Sequence, residues 1–194
     1  MDNRLKDLFN VNKNVVSCKM LLEAGYTKYH IRKLVAEGVL NHLQHGFYGL
    51  MDELEDDFYI YQNNNSHIIY SNETALYLHN LTDRFPVSLS VTTKSGYHVR
   101  NTKLKVYYVK DELLNYCVTK VVTPSGNEVL VYDIEKTICD IVKNKNRIDI
   151  QVYVQGLQNY FLHGKPNLRK LSIIAKKMNI QQKMMGIIEL YVRP

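Results

Sequence analysis

The residues best suited to chemistry lie in a short stretch after Gly25, where basic and aromatic polar side chains follow one another: Lys28, Tyr29, His30, Arg32 and Lys33. At ~100° per residue, the apolar residues of this stretch fall together on the other side of a helix. Arg and Lys donate hydrogen bonds to phosphates and guanine edges, and Tyr reaches phosphates. The pattern predicts a helix with a DNA-binding face, to which Lys19 and His45 are added; a merely solvated basic face is the alternative.

A second group of side chains could bind a metal ion in an enzyme, and it consists of the carboxylates Glu128, Asp133, Glu135 and Asp140. Each of the last three has a simpler explanation: Asp133 caps a helix, Glu135 stands in its first turn, and Asp140 pairs with Lys136 or Lys143. The sequence has no Gly-rich phosphate loop, GxSxG, HExxH or Cys/His dyad. We expect no catalytic residues, and a nuclease-like enzyme that uses the C-terminal part of the chain is the alternative.

Histidines and cysteines do not form a metal-binding pattern. His30, His42 and His45 have no carboxylate or Cys at ligand spacing beside them, and the three cysteines are far apart with no CxxC pair. We therefore expect reduced, buried thiols, no metal site and no cofactor.

Charge is distributed unevenly over the chain, whose formal net charge is +6. Residues 1–50 carry +3, residues 51–142 carry −5, and residues 143–194 carry +8, with ten Lys and Arg against two Asp and Glu. The last part contains a basic set that we predict to be an antitoxin or auxiliary anion-binding surface, with a solvated face as the alternative: Lys165, Arg169, Lys170, Lys176, Lys177 and Lys183. Ile173, Ile174 and Met178 are expected to form the apolar side of the same helix.

Composition places the chain among folded proteins, because 45% of its 194 residues are hydrophobic and 23% are charged. No apolar run approaches the ~18 residues of a membrane-spanning helix, and the N-terminus lacks the apolar core of a signal peptide. We predict a cytoplasmic protein with no membrane association.

The elements that must position the basic helix can be read from local signals. A helix near residues 2–11 is followed by one that Ser17 caps and Gly25 ends, and by a third that Thr27 caps and Gly38 ends. Two apolar stretches around Gly46 predict a β-hairpin. Three helices with this spacing and a hairpin predict a winged helix-turn-helix DNA-binding domain over residues 1–62.

The rest of the chain is predicted to be an α+β domain over residues 66–194, after the polar stretch 62–66. A helix at 71–81 precedes four strands, at 87–92, 104–109, 118–123 and 129–132, with a turn at 124–127 between the last two. Asp133 then caps a helix, and a helical tail follows, with helices near 149–162, 166–178 and 180–191. The predicted fold class is therefore α+β, an N-terminal winged helix-turn-helix followed by an α+β domain with a helical C-terminal tail.

The order of these features resembles a known family over nearly the whole chain. LLEAGYTKYHIRKLVAEGVL and HGFYGL, then SNETALYLHNLTDRFP, then DIEKTICDIV are similar to the AbiEi antitoxins of type IV abortive-infection toxin-antitoxin systems. The chain departs from the family at the wing, where Gln44 and His45 stand in place of basic residues, and this weighs against phosphate contact by the wing.

The resemblance implies a phage-defence antitoxin that represses transcription of its own bacterial operon. Its winged helix would bind double-stranded operator DNA with inverted repeats, cooperatively or as a dimer. Its C-terminal domain would counter an AbiEii-like nucleotidyltransferase toxin without forming a stable complex with it.

Overall fold

A computed structural model describes residues 3–44, 46–51 and 53–192, and these form a mixed α+β protein with two separate sheets. The chain divides into two compact units. The first holds the residues up to 66 together with 122–129, and the second holds residues 67–121 and those from 130 onwards. Within the described residues, no helix is long and apolar enough to cross a membrane.

The first unit contains short helices and one small antiparallel sheet of order β1-β3-β2. Its elements are α1 (Asn3–Val11), β1 (Val16–Ser17), α2 (Cys18–Glu23), α3 (Lys28–Ala36), β2 (Leu40–Gln44), β3 (Phe47–Leu50) and α4 (Asp57–Asn64). Apart from α4, these elements pack around one core of fully buried side chains: Leu5, Phe9, Val16, Leu21, Ile31 and Leu40. The three predicted helices and the predicted hairpin are present, and α4 and β1 were not predicted.

Helix α4 occupies the stretch that the sequence suggested as a boundary, and Asp56 holds it in place. The Asp56 carboxylate is 2% exposed and accepts a hydrogen bond from the Tyr59 amide, which caps the helix. It also accepts from the Thr123 hydroxyl at 2.6 Å and from the Asn127 amide group at 2.8 Å. These bonds explain why residues 122–129 belong to the first unit, a grouping that no local pattern predicts.

Most residues of the five-stranded sheet, of order β6-β5-β4-β8-β7, belong to the second unit. Strand β5 pairs in parallel with β6, and β4 pairs antiparallel with β5 and parallel with β8. The strands are β4 (Ile69–Tyr70), β5 (Leu89–Lys94), β6 (Leu104–Val109), β7 (Val118–Val122) and β8 (Glu128–Tyr132). The helices are α5 (Asn72–Leu78), α6 (Asp111–Leu114), α7 (Ile134–Lys143), α8 (Ile150–Gln158), α9 (Leu168–Lys177) and α10 (Gln181–Val192). A 3-10 turn (Lys145–Arg147) follows α7, and a π-helical turn (Asn159–His163) extends α8.

Close packing between helices forms the core of this unit. Gly156 on α8 lies so near α5 that a Cβ atom there would stand 2.9 Å from a methyl group of Leu76, a contact that only glycine avoids.

His79, which follows α5, has a structural role. Its Nε2 atom lies 2.7 Å from the Tyr132 carbonyl oxygen, so this nitrogen carries the proton and donates the hydrogen bond. Burial lowers the pKa of His79, as expected for a histidine whose role is packing.

A buried ion pair lies within α7, between Lys136 and Asp140. The Lys136 ammonium is 2.6 and 2.7 Å from the two carboxylate oxygens, and the two side chains are 2% and 6% exposed. The ammonium also lies 4.0 Å from the centre of the Tyr132 ring. Burial raises the pKa of Asp140, whereas the Lys136 charge acts in the opposite direction. The sequence offered Lys136 or Lys143 as the partner of Asp140, and the structure identifies Lys136.

We predict that Asp56→Ala lowers the free energy of unfolding by about 2–3 kcal/mol, because it leaves the Thr123 and Asn127 groups buried without their acceptor. Urea denaturation followed by circular dichroism measures this loss. The matched control is Asp57→Ala, which removes a first-turn acid and is expected to cost less than about 1 kcal/mol. Equal losses for the two variants would contradict the role assigned to Asp56.

We further predict that Lys136→Met costs about 3–5 kcal/mol, because it leaves the Asp140 carboxylate buried and unpaired. The double variant Lys136→Met/Asp140→Leu is expected to recover most of this loss, since an apolar pair needs no compensation for desolvation. Thermal and urea unfolding of the two variants test this. A double variant less stable than the single one would show that the pair is not the decisive contact.

Candidate nucleic-acid interface

Side-chain caps at both N-termini fix the helix pair α2 and α3. The Ser17 hydroxyl accepts a hydrogen bond from the Met20 amide, and the Thr27 hydroxyl accepts one from the His30 amide, each at 3.2 Å. Between the helices Gly25 adopts φ +91°, a conformation in which glycine is not strained. The caps and the turn predicted from the sequence are therefore confirmed, and residues 24–27 join the two helices.

One face of α3 is fixed by burial. Ile31 is 2% exposed and belongs to the core that contains Leu21, while Leu34 and Val35 pack against that core and are half-buried. Because an α-helix has ~3.6 residues per turn, Tyr29, Arg32 and Lys33 must lie on the side of α3 that faces away from this core.

The exposed face of α3 carries the predicted set of polar side chains. Those of Lys28, Tyr29, His30, Arg32 and Lys33 are all exposed, and Tyr29 is 73% exposed although it is a large aromatic residue. Lys19 on α2 is exposed as well. The fold thus exposes a tyrosine, a histidine and three cations on a single short helix, with Tyr29, Arg32 and Lys33 on the side away from the core.

The charges of this face are only weakly compensated. Lys33 lies 3.7 Å from Glu37, and Lys19 lies 3.8 Å from Glu23, both as exposed pairs one helical turn apart. Such pairs contribute about 0.3–0.5 kcal/mol and separate easily. Lys28 and Arg32 make no ion pair with any residue that the structure describes. Their charges are available to a phosphate.

The hairpin of β2 and β3 lies next in the chain, with Gly46 at φ +81° in its turn. The exposed His42 ring lies 5.2 Å from the Tyr48 ring, centre to centre. Burial raises the pKa of Tyr48, and the Arg32 charge acts against that increase. Gln44 accepts a hydrogen bond from Asn64 of α4 at 3.0 Å. His45, predicted as a DNA contact, lies outside the described residues.

The carboxylates considered for an enzyme have structural partners. Asp133 caps α7 by accepting from the Lys136 amide at 2.9 Å, as predicted. Asp133 and Glu135 also pair with Lys170 at 2.8 and 2.9 Å, and Asp140 is engaged by Lys136. Among the described residues, no group of His, Cys, Asp and Glu side chains is arranged to hold a metal ion.

The C-terminal basic set divides in two. Lys165, Arg169, Lys176, Lys177 and Lys183 are exposed, but Lys170 is half-buried between Asp133 and Glu135. Although burial lowers the pKa of Lys170, its hydrogen bonds to the two carboxylates raise it above the usual lysine value. The sequence did not indicate this ionic cluster, because Lys170 and its partners are far apart in the chain.

Helix α9 carries its charges differently from the prediction. Ile173 is 56% exposed, so its placement on the apolar side was wrong; Leu171, Ile174, Ala175 and Met178 form that side. Arg169 lies one helical turn before Ile173, and Lys176 lies one turn after it, so the three side chains share the outward face. The Lys177 ammonium lies 3.7 Å from the centre of the Tyr116 ring. Arg169 and Lys176 are therefore cations of the outward face of α9.

No protein-family model matches the sequence, and no curated protein matches it. Among solved structures, the chain is similar to the crystal structure of the RV2827C protein from Mycobacterium tuberculosis, with a TM-score of 0.66. The two share 14% sequence identity over 96% of this chain and 75% of that one. At this identity the likeness shows the fold alone, a mixed α+β architecture over nearly the whole chain.

Proposed function

We propose that the chain is a transcriptional repressor that binds double-stranded DNA through its first unit, which we interpret as a winged helix-turn-helix. Helix α3 is the recognition helix, and the β2–β3 hairpin is the wing. The observation that carries this proposal is the exposed, weakly compensated face of α3 with Tyr29, Arg32 and Lys33.

The dimensions and chemistry of α3 support this assignment. The major groove of B-DNA is ~12 Å wide and admits one helix, whose exposed side chains then reach base edges. Arg32 has the bidentate geometry that suits a guanine edge, whereas Lys28, Lys33 and Lys19 suit phosphates. The short turn at residues 24–27 joins α2 to α3. In the proposed complex α2 lies across the DNA backbone, as the first helix of a helix-turn-helix does.

The biological role follows from the resemblance to AbiEi antitoxins. We propose that the protein represses its own operon at inverted repeats and counters an AbiEii-like nucleotidyltransferase toxin without a stable complex. The exposed cations of the second unit, Lys165, Arg169, Lys176, Lys177 and Lys183, serve as its anion-binding surface. The neighbouring reading frame tests this cheaply, since it should encode a nucleotidyltransferase.

We predict that Arg32→Glu weakens binding to a duplex from the chain's own upstream region by at least about tenfold, because it replaces a donor with a repelled carboxylate. Fluorescence anisotropy or gel shift measures the affinity. The matched control is Arg100→Glu, which makes the same change at an exposed arginine of the second unit and should leave affinity nearly unchanged.

The same titrations test specificity and assembly. The wild-type protein should prefer its upstream region to a shuffled duplex, bind cooperatively, and lose affinity with salt at a log-log slope of about −0.9 per phosphate contact. Equal affinity for both duplexes would overturn the proposal. Cleavage of DNA or RNA that requires Mg²⁺ and co-purifies with the folded protein would favour the nuclease alternative.

We predict that Arg169→Glu/Lys176→Glu impairs either operator affinity or rescue from the toxin, since it reverses the outward pair of α9 without touching the Lys170 cluster. Anisotropy and growth of cells that co-express the toxin provide the two readouts. Arg100→Glu/Lys110→Glu is the charge-matched control. If both readouts are unchanged, the pair is only a solvated face.

A further inference from the structure

The second unit contains a cavity of about 540 Å³, within the size range of small-molecule sites. It lies beside the loop at 84–88, which precedes β5, and it is bounded by residues from α5, β6 and the start of α8. Its lining residues are Glu73, Arg84, Phe85, Pro86, Val87, Ser88, Lys105, Asp149 and Val152. The sequence predicted a strand from residue 87, whereas β5 begins at Leu89, and the residues before it form this wall.

Hydrogen bonds with α8 fix the residues that lead into the loop at 84–88. The Thr82 hydroxyl donates to the Gln155 side-chain oxygen at 2.6 Å, and the Gln155 amide group donates to Asp83 at 2.8 Å. Phe85 stands edge-on to the Tyr77 ring at 5.3 Å between ring centres and remains 60% exposed. The buried Val152 also lines the cavity, so the cavity has an apolar surface suited to a flat ring.

Two charged side chains in the cavity, Glu73 and Lys105, neutralise each other. Glu73 accepts hydrogen bonds from the Lys105 ammonium at 2.9 Å, the Ser90 hydroxyl at 3.0 Å and the Asp149 amide at 3.2 Å. Lys105 also donates to the Arg147 carbonyl oxygen. This pair forms a saturated polar floor.

Arg84 differs, because its nearest carboxylate is already used. The Asp149 oxygen that faces it accepts from the Gln151 and Val152 amides at 2.9 and 3.1 Å, which caps α8. The Arg84 guanidinium lies 3.9 Å from that oxygen, beyond hydrogen-bond distance, and its side chain is 51% exposed. Its fork of donors is therefore directed to no acceptor at bonding distance within the described part of the chain.

The geometry points to a binding site for a small organic anion with a flat apolar body. The oxyanion, a carboxylate or a phosphate, is held by the Arg84 guanidinium in bidentate fashion. The body lies between Phe85 and Val152, above the neutralised Glu73–Lys105 floor. The site is formed by the second unit alone and does not depend on DNA binding by the first.

The test uses the full chain and four defined probes: adenosine monophosphate, uridine monophosphate, indole-3-acetate and inorganic phosphate. Calorimetry on the wild-type protein measures each affinity. Phe85→Trp gives an independent readout, because the chain has no tryptophan and its emission then reports on the cavity alone. We expect at least one aromatic anion to bind with a Kd below about 1 mM, and inorganic phosphate to bind at least about tenfold more weakly.

Variants locate the binding. Arg84→Gln should lower the affinity for the probe by about tenfold. The control Arg100→Gln, at an exposed arginine outside the cavity, should leave this affinity unchanged. Binding of the nucleotides alone assigns the site to a nucleotide-like phosphate ester, and binding of indole-3-acetate alone assigns it to an aromatic carboxylate; both support the site. No aromatic anion binding with a Kd below about 1 mM, affinity equal to that of phosphate, or indifference to Arg84→Gln would overturn the inference.

Discussion

Burial of Ile31 in the small core of the first unit is the contact on which the candidate interface depends. The side chain is 2% exposed and packs in the cluster that contains Phe9 and Leu21. Because a helix of nine residues has only one apolar face, burial of Ile31 leaves α3 a single orientation. Its basic and aromatic residues are then exposed by helical geometry alone, so the packing of α3 and the exposure of its candidate DNA-binding face follow from the same constraint.

In the second unit, most acidic side chains near the helices maintain the fold. Asp133 and Asp149 cap α7 and α8, Asp140 balances Lys136, and Glu73 balances Lys105. A carboxylate that accepts from helix amides or from a close ammonium has little remaining capacity for a metal or a proton. These partners explain why the carboxylates of the described residues are not grouped to hold a metal ion.

Among the described residues, cations with weak or no ion pairs include those on the face of α3, those on the outward side of α9, and Arg84 at the cavity. Surface cations of this kind contribute little to stability, since exposed ion pairs are worth about 0–1 kcal/mol. Their availability suits partners that carry phosphates or carboxylates. The DNA binding proposed for the first unit and the small-anion binding proposed for the second would therefore use the same chemistry, but on different folds and at different scales.

Local signals in the sequence were sufficient for the elements that depend on neighbours a few residues away. The caps at Ser17, Thr27 and Asp133 form their predicted hydrogen bonds, and the glycine at 25 adopts the expected positive φ, because each of these involves groups within one helical turn. The exposed face of α3 follows in the same way from its period. By contrast, Asp56 joins residues 122–129 to the first unit, Lys170 pairs with Asp133 and Glu135, and Arg84 lies at a cavity near Asp149, all with partners distant in the chain. Side chains that meet only when elements pack leave no periodic pattern, and so these features depend on tertiary contacts that sequence spacing does not encode.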